Sequence, residues 1–256
     1  MIIIAIFFAH WFLSLFTQSF FNHRYAAHEQ FTMSKGWEKF FYILTYLFQG
    51  SSYLSPRAYA IMHRKHHAHT DTEKDPHSPK YSNGLMDMMW KTKNEYSDYF
   101  YARKKNLEER YLKNLPDWAS LDRFADSWFN RIFWGTLYTI AYILCISVFH
   151  MPGTHWWMYF LLPIHYVMGP FHGVIINWFA HKVGYSNYSQ SNTSVNLFFF
   201  NFLMLGEGYH NNHHRFPNRA NFAIKWYEFD WLYPTIKVLS WVRIIKMNPN
   251  AKSLNS

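Results

Sequence analysis

One cysteine in 256 residues, Cys145, lies inside an apolar stretch, so the chain offers neither a disulfide framework nor a CxxC metal or redox site. Charge is missing over two long windows: no Lys, Arg, Asp or Glu occurs in residues 1–21 or 132–181. The first apolar run has no basic residues before it and no small-residue cleavage site after it, which excludes a cleaved secretory signal. Internal repeats and low-complexity linkers are also lacking, which excludes a repeat array.

What is abundant is aromatic and apolar. Aromatic residues make up 22% of the chain, far more than a soluble enzyme needs to fill its core. Residues 2–20, 132–149 and 156–176 are each about one membrane crossing long, so three spans are predicted. Lys and Arg number 16 in residues 22–127 and 8 from Lys182 onward, while the turn 150–155 has none. By the positive-inside rule the basic segments are cytoplasmic, and the turn and the N-terminus lie outside. A formal charge of +9 placed beside apolar spans serves topology and anionic lipid, so no nucleic-acid partner is expected.

Between the spans the sequence predicts short elements. Residues 39–48 read as an apolar helix too brief to cross a bilayer, re-entrant or interfacial, broken at residues 50–52. Pro56 starts the next helix. Residues 70–79 are turn-rich, and an amphipathic helix is expected around residues 99–113. The hairpin 132–176 turns at Pro152 and Gly153, and its second arm continues straight into residues 177–181, NWFAH. Residues 196–205 form an apolar segment of interfacial length, and the tail 226–246 reads as a helix against the cap or headgroups. The expected whole is one all-α membrane domain, residues 1–256, with a His-rich cytosolic cap from residues 22–127 and 182–256.

The chemistry is carried by histidine spacing. HxxHH occurs twice, at His63, His66, His67 and at His210, His213, His214, and a looser pair, His23 and His28, follows the first span. At the chain's own histidine frequency one such triplet is expected about 0.06 times, so chance does not explain two. On a helix each triplet is expected to present its imidazoles to one point. Positions 23 and 28 lie about 140° apart on an ideal helix, so that helix is expected to end or distort within the pair. Imidazole suits zinc, copper, iron and nickel alike. A structural zinc site needs four ligands and these motifs offer at least eight, a number suited to two metals. The Glu-x-x-His pairs of soluble di-iron bundles are not present.

HxxxxH, HxxHH and HxxHH in this order resemble the membrane fatty acid desaturase family, and GEGYHNNHHRFP at residues 206–217 resembles its acyl-CoA (stearoyl-CoA desaturase-like) branch. DPH at residues 75–77 and NWFAH strengthen the match, which runs from about residue 7 to 235 and is closest to a bacterial-type short form without the first of four helices. The resemblance implies a nonhaem di-iron centre with His23, His28, His63, His66, His67, His181, His210, His213 and His214 as ligands, and Asn177 holding a water near one iron. Glu207, Asp75 and His77 are expected to support the ligating imidazoles, which usually donate their second N–H to a carboxylate or carbonyl. It also implies that Trp11 and Leu15 close an acyl tunnel passing Tyr59, and that Lys91 and Lys93 hold an anionic acyl carrier. His10, His69, His150, His155, His165 and His172 match no box and read as structural or interfacial, with His172 in a position to touch substrate.

The implied activity is oxygen-dependent insertion of a cis double bond, at carbon 9, into a saturated long-chain acyl-CoA or acyl-lipid. Dioxygen is the co-substrate, and electrons come from an external ferredoxin or small haem protein with its reductase. The implied location is multi-pass in a bacterial cytoplasmic membrane, with the active site on the cytoplasmic side. The alternative is a membrane di-iron hydroxylase of alkyl, sterol or carotenoid substrates. A metal transporter is disfavoured, because it would place polar groups in mid-span.

Overall fold

Helix α1, Ile2–Thr17, contains no charged residue and runs without a break into a ten-residue π-helix, Gln18–Ala27, giving one apolar helix of 26 residues. The computed structural model describes residues 1–102, 106–198 and 201–251. In the π segment hydrogen bonds span five residues, and the His28 N–H accordingly donates to the His23 carbonyl at 3.0 Å. The wider turn stacks positions five apart, so Gln18, His23 and His28 share one face. The expected distortion is therefore a change of helix type that converts HxxxxH into an aligned pair.

Strand β1, Phe31–Met33, leads to helix α2, Lys35–Gln49, capped by Ser34, whose hydroxyl accepts the Trp37 N–H. At 15 residues α2 is too short to span a bilayer. It exposes Trp37, Phe40, Ile43 and Leu47 along one stripe and buries Phe41, Tyr42 and Thr45 on the other. Helix α3, Pro56–His69, starts at Pro56 as expected, with Ser55 accepting the Ala58 N–H. Helix α4 is Leu85–Phe100 and α5 is Glu109–Leu112. No single helix covers residues 99–113: Ala102, with φ 51°, turns the chain out of α4, and residues 103–105 lie outside those described. Helix α6, Ala119–Asp126, is tied to the start of α3 by buried Asp122, which accepts from the Tyr53 hydroxyl at 2.6 Å and the Ser55 hydroxyl at 2.8 Å.

Helix α7, Trp128–Ile143, continues as a π turn, Leu144–Val148, to make a second apolar helix of 21 residues. The return arm is not the straight span expected over residues 156–176. A 3₁₀ turn, Trp156–Leu161, and helix α8, Leu162–Tyr166, meet helix α9, Met168–Asn177, and its 3₁₀ extension, Phe179–His181, at a bend of 76°. Pro170 has no N–H to give the Tyr166 carbonyl four residues back. That carbonyl instead accepts from the Ser51 hydroxyl at 3.1 Å, and the Gly169 N–H donates to Ser52 Oγ at 2.9 Å. The serines of the break at residues 50–52 thus satisfy the backbone freed by the bend, as an apolar surrounding requires. Among the described residues two helices are long and apolar enough to cross a membrane, or three if the bent pair counts as one span.

Helix α10 is His210–Arg215 and α11 is Tyr233–Trp241. The tail is therefore helical over nine residues only, and strand β2, Ile245–Met247, pairs antiparallel with β1, Phe31 opposite Met247 and Met33 opposite Ile245. This ribbon, with the isolated antiparallel bridges of Asn196 to Tyr185 and Tyr209, departs from the all-α expectation among the described residues. Within residues 196–205, Phe202–Met204 is a 3₁₀ turn and residues 199–200 lie outside those described. A core of Phe20, Phe21, Phe31, Phe41, Tyr42, Leu232 and Ile236 joins the π-helix, α2 and α11.

Candidate metal centre

The nine predicted imidazoles converge, but in two groups that cut across the sequence motifs. His23, His28, His63, His67 and His213 form one; His66, His181, His210 and His214 form the other, and within each the nearest ring nitrogens all lie within 4.8 Å of one another. The expectation that each HxxHH triplet serves one point is thereby corrected. On α3, His63 and His67 are four apart and lie about 40° from each other, whereas His66 lies about 60° to the other side of His63. On α10, His213 goes to the first group, and His210 and His214 go to the second.

In the first group Nε2 of His28 faces Nε2 of His63 at 2.8 Å, and Nε2 of His213 faces those of His67 and His23 at 2.9 and 3.1 Å. In the second, Nε2 of His210 faces those of His214 and His181 at 3.0 and 3.1 Å, and His66 meets His214 at 3.2 Å. Two imidazole nitrogens bound at right angles to one ion at about 2.1 Å stand about 3.0 Å apart. Outside the membrane helices, burial and then the neighbouring imidazoles push His28, His63, His67, His210, His213 and His214 well below the ordinary histidine range. The rings are therefore neutral at physiological pH, the form that binds metal.

Carboxylates orient several of these rings. His66 Nδ1 lies 2.9 Å from Asp75 Oδ1 and His23 Nδ1 lies 2.6 Å from Glu207 Oε2, which turns each Nε2 lone pair inward. Converging lone pairs with no proton to share are what a cation resolves, so the residues fit a metal. His77, buried, packs against His66 with ring centroids 4.3 Å apart and planes tilted by 33°, and its backbone N–H donates to Asp75. Sequence reasoning missed Asp71 and Thr193: Thr193 lies 3.1 Å from His181 Nδ1 and donates its N–H and hydroxyl to Asp71 at 2.6 and 2.8 Å. The signal was a second carboxylate in TDTEKDPH, four residues before Asp75.

Arg24, fully buried, bridges Glu207 at 3.1 Å and Asp230 at 2.7 Å and also donates to Ser19. Burial alone would raise the Glu207 carboxyl, but His23 and Arg24 hold it below its ordinary range. Burial keeps Asp230 above its range, because Arg24 is shared and Glu207 repels it. The glycines of GEGYHNNHH make room for this. At Gly206, φ 92°, a Cβ would sit 2.4 Å from Asp230 Oδ1, and at Gly208 it would sit 1.8 Å from Asn201 Oδ1. Asn196 Oδ1 accepts the N–H groups of Asn211 and Asn212 at the start of α10, and so orients the helix that feeds both groups.

A cavity of about 880 Å³ runs beside the centre, lined there by His23, His63, His210, Asn177 and Glu207, and further in by Leu15, Gln18, His172 and Met204. Tyr59 and Lys93, both expected from the sequence, line it. Two expected residues do not. Trp11 sits behind the inner end, its indole N–H donating to the Leu203 carbonyl at 2.8 Å and its ring edge-on to His172 at 4.5 Å. Lys91 turns away to Asp87 at 2.8 Å and to the Tyr81 carbonyl at 2.9 Å, because it lies two residues from Lys93 on α4 and so on another face. Gln18 and His172 were not expected together; Gln18 Nε2 donates to His172 Nδ1 at 3.0 Å, leaving Nε2–H of this buried ring without a partner. The signal was the spacing 18, 23, 28, the same five-residue step as the histidine pair.

Comparison with known proteins agrees with these features. A family profile described as fatty acid desaturase matches residues 1–239. The chain is similar to Delta-9 acyl-lipid desaturase 2 of Arabidopsis thaliana, 28% identical over 81% of this chain and 62% of that protein. It is similar to Acyl-CoA 5-desaturase AL21 of Anemone leveillei, 29% identical over 86% of this chain and 63% of that protein. With the sn-1 stearoyl-lipid 9-desaturase of Anabaena variabilis it shares 26% identity over 90% of this chain and 76% of that protein. The chain thus spans less than two thirds of the length of the two plant proteins.

Proposed function

Because this chain belongs to the fatty acid desaturase family, we propose that it is a membrane oxidoreductase that inserts a cis double bond into a long saturated acyl chain, at carbon 9, on a di-iron centre. The observation that carries the reading is two convergent imidazole groups opening on a long cavity whose inner part is lined by Leu15, Met204 and Ile176. In this reading His23, His28, His63, His67 and His213 hold one iron and His66, His181, His210 and His214 the other. The pair would supply an oxidant, made from dioxygen, strong enough to take hydrogen from an unactivated methylene.

The overall balance is R–CH₂–CH₂–R′ + O₂ + 2 e⁻ + 2 H⁺ → R–CH=CH–R′ + 2 H₂O, with the electrons from an external reduced carrier such as ferredoxin. The protein's part is positioning. Asp75, Glu207 and the Asp71–Thr193 pair fix ring orientation and tautomer, Asn177 on the cavity wall would hold a water, and the apolar inner wall formed by Leu15, Ile176 and Met204 positions the chain beside the centre. The cap and the membrane helices act as one domain.

Lipids of a bacterial host without an aerobic desaturase, analysed by gas chromatography after expression of the chain, should contain new cis-monoenoic acids. Hydroxylated chains without monoenes would mean a hydroxylase instead, and unchanged lipids with an iron-loaded protein would defeat both readings. Asn177→Ala should keep its iron and lose activity by about 10–100-fold, the usual cost of an outer contact to a metal site; iron loss equal to that of a ligand variant would make Asn177 a ligand.

Leu15→Ala should shift products toward longer chains, with the double bond still counted from the carboxyl end, because Leu15 is the cavity's inner wall and Trp11 stands behind it. It should also cost about 2–5 kcal/mol of stability when the cavity is empty. An unchanged chain-length profile in an active Leu15→Ala protein would remove Leu15 from the tunnel.

A further inference from the structure

The inner part of the large cavity suits hydrocarbon except at one point. Leu15, Ile176 and Met204 line it, and Phe7, Trp11 and Met168 pack with Leu15 and Met204. Gln18 and His172 line it too, although they are 8% and 2% exposed and belong to different helices. Gln18 shares a face of the π-helix with His23, five residues later, and His172 lies five residues before Asn177 on α9. Five residues of α-helix rise about 7.5 Å, the length of about six bonds of an extended hydrocarbon chain. The polar pair therefore meets the methyl-side half of a chain whose reacting carbons lie beside the centre.

The hydrogen bonds fix which nitrogen of His172 carries the proton. Gln18 Nε2 lies 3.4 Å from the Ser14 carbonyl and 3.1 Å from Ser14 Oγ; a carbonyl only accepts, so this atom is the amide donor. The same nitrogen donates to His172 Nδ1 at 3.0 Å, so the proton of the neutral ring sits on Nε2. That buried N–H has no partner among the described residues. Trp11, edge-on to the ring at 4.5 Å, offers no acceptor atom, since its indole nitrogen donates to the Leu203 carbonyl. A leucine at this position would line the wall without leaving a buried donor unpaired, which is unfavourable. The partner must then come from the contents of the cavity. Plain polymethylene has no acceptor, whereas a carbonyl or hydroxyl oxygen has one.

We propose that the preferred acyl chain carries an oxygen on its methyl-side half, as a keto group or a hydroxyl, about six bonds past the reacting carbons, and that His172 Nε2–H donates to it. Gln18 is a positioning residue, acting through His172 by holding the ring proton on Nε2. The assignment rests on the desaturase reading and narrows its substrate class. The oxygen itself is unchanged by the reaction.

The test uses the full-length, iron-loaded protein in detergent, with stearoyl chains bearing one keto group or one hydroxyl at successive carbons, each offered both as a CoA ester and as a phospholipid. Binding is read without turnover, in the absence of reductant, as displacement of a radiolabelled stearoyl ester. Desaturation of the same series is then read by mass spectrometry with reduced ferredoxin and oxygen. Expected is a maximum at a few adjacent carbons of the methyl-side half, where the oxygenated chain binds about tenfold more tightly than plain stearoyl on either carrier. His172→Leu should erase that maximum with iron content unchanged, and His172→Gln, which restores an N–H donor, should recover part of it. Equal binding of oxygenated and plain chains by the parent protein, a comparison that needs no variant, would overturn the proposal, as would a maximum that survives in His172→Leu. Preferred binding of the oxygenated chain without desaturation of any chain would leave the site standing and remove the desaturase reading. Desaturation of plain chains with no maximum would do the reverse.

Discussion

On the proposed di-iron reading, a His66→Ala or His213→Ala protein is expected to reach the membrane in normal amount, to form no monoenoic product, and to carry about one iron per chain where two are expected of the parent. The two variants test different groups, since His66 belongs with His181, His210 and His214, and His213 with His23, His28, His63 and His67. Each removal also strips its neighbours of a close partner: His214, 3.2 Å from His66, in one case, and His67, 2.9 Å from His213, in the other. Metal analysis of the purified variants beside gas chromatography of host lipids makes the measurement. Two irons and normal product in either variant would sink the assignment of that histidine.

The largest effect on stability is expected from Arg24→Met. The guanidinium is fully buried, lies 3.9 Å from the centre of the Phe222 ring, and is the cation shared by Glu207 and Asp230. Removing it leaves two buried carboxylates facing each other across the space it filled, and breaking one buried pair alone costs about 3–5 kcal/mol. For a chain of this size that corresponds to a fall in Tm of roughly 6–20 °C, read from the loss of the monodisperse peak after heating in detergent. Adding Asp230→Asn should restore part of the loss, because it removes one uncompensated charge. A Tm within about 2 °C of the parent would show that Arg24 is not what balances these acids.

Some of this was legible in the sequence, for identifiable reasons. Charge-free windows are a local property, and they located α1 and α7 to within a few residues. Histidine spacing is local too, and it named eight of the nine rings that converge; the ninth, His181, came from the resemblance of NWFAH. The i, i+5 pair announced a distorted helix, although only the backbone shows that the distortion is ten residues of π-helix with Gln18 on the same face. The bend in the return arm was not read from the sequence, which was expected to run straight; Pro170 lies at it, yet a proline does not say what will replace the lost hydrogen bond. Ser51 and Ser52, more than a hundred residues away, do that.

The division of the rings between two groups depended on tertiary structure alone. Spacing within HxxHH sets the directions of three imidazoles about their own helix axis and nothing else. Which group each one joins depends on where the π-helix, α3, α10 and the end of α9 stand relative to one another. Those positions are held by contacts remote in sequence, such as Arg24 with Asp230 and Asp71 with Thr193. The same holds along the cavity. Lys93 and Arg123 are unremarkable basic residues 30 positions apart in the chain. Both line one cavity because the fold brings α4 and α6 to it, and Asp122 ties α6 to the start of α3.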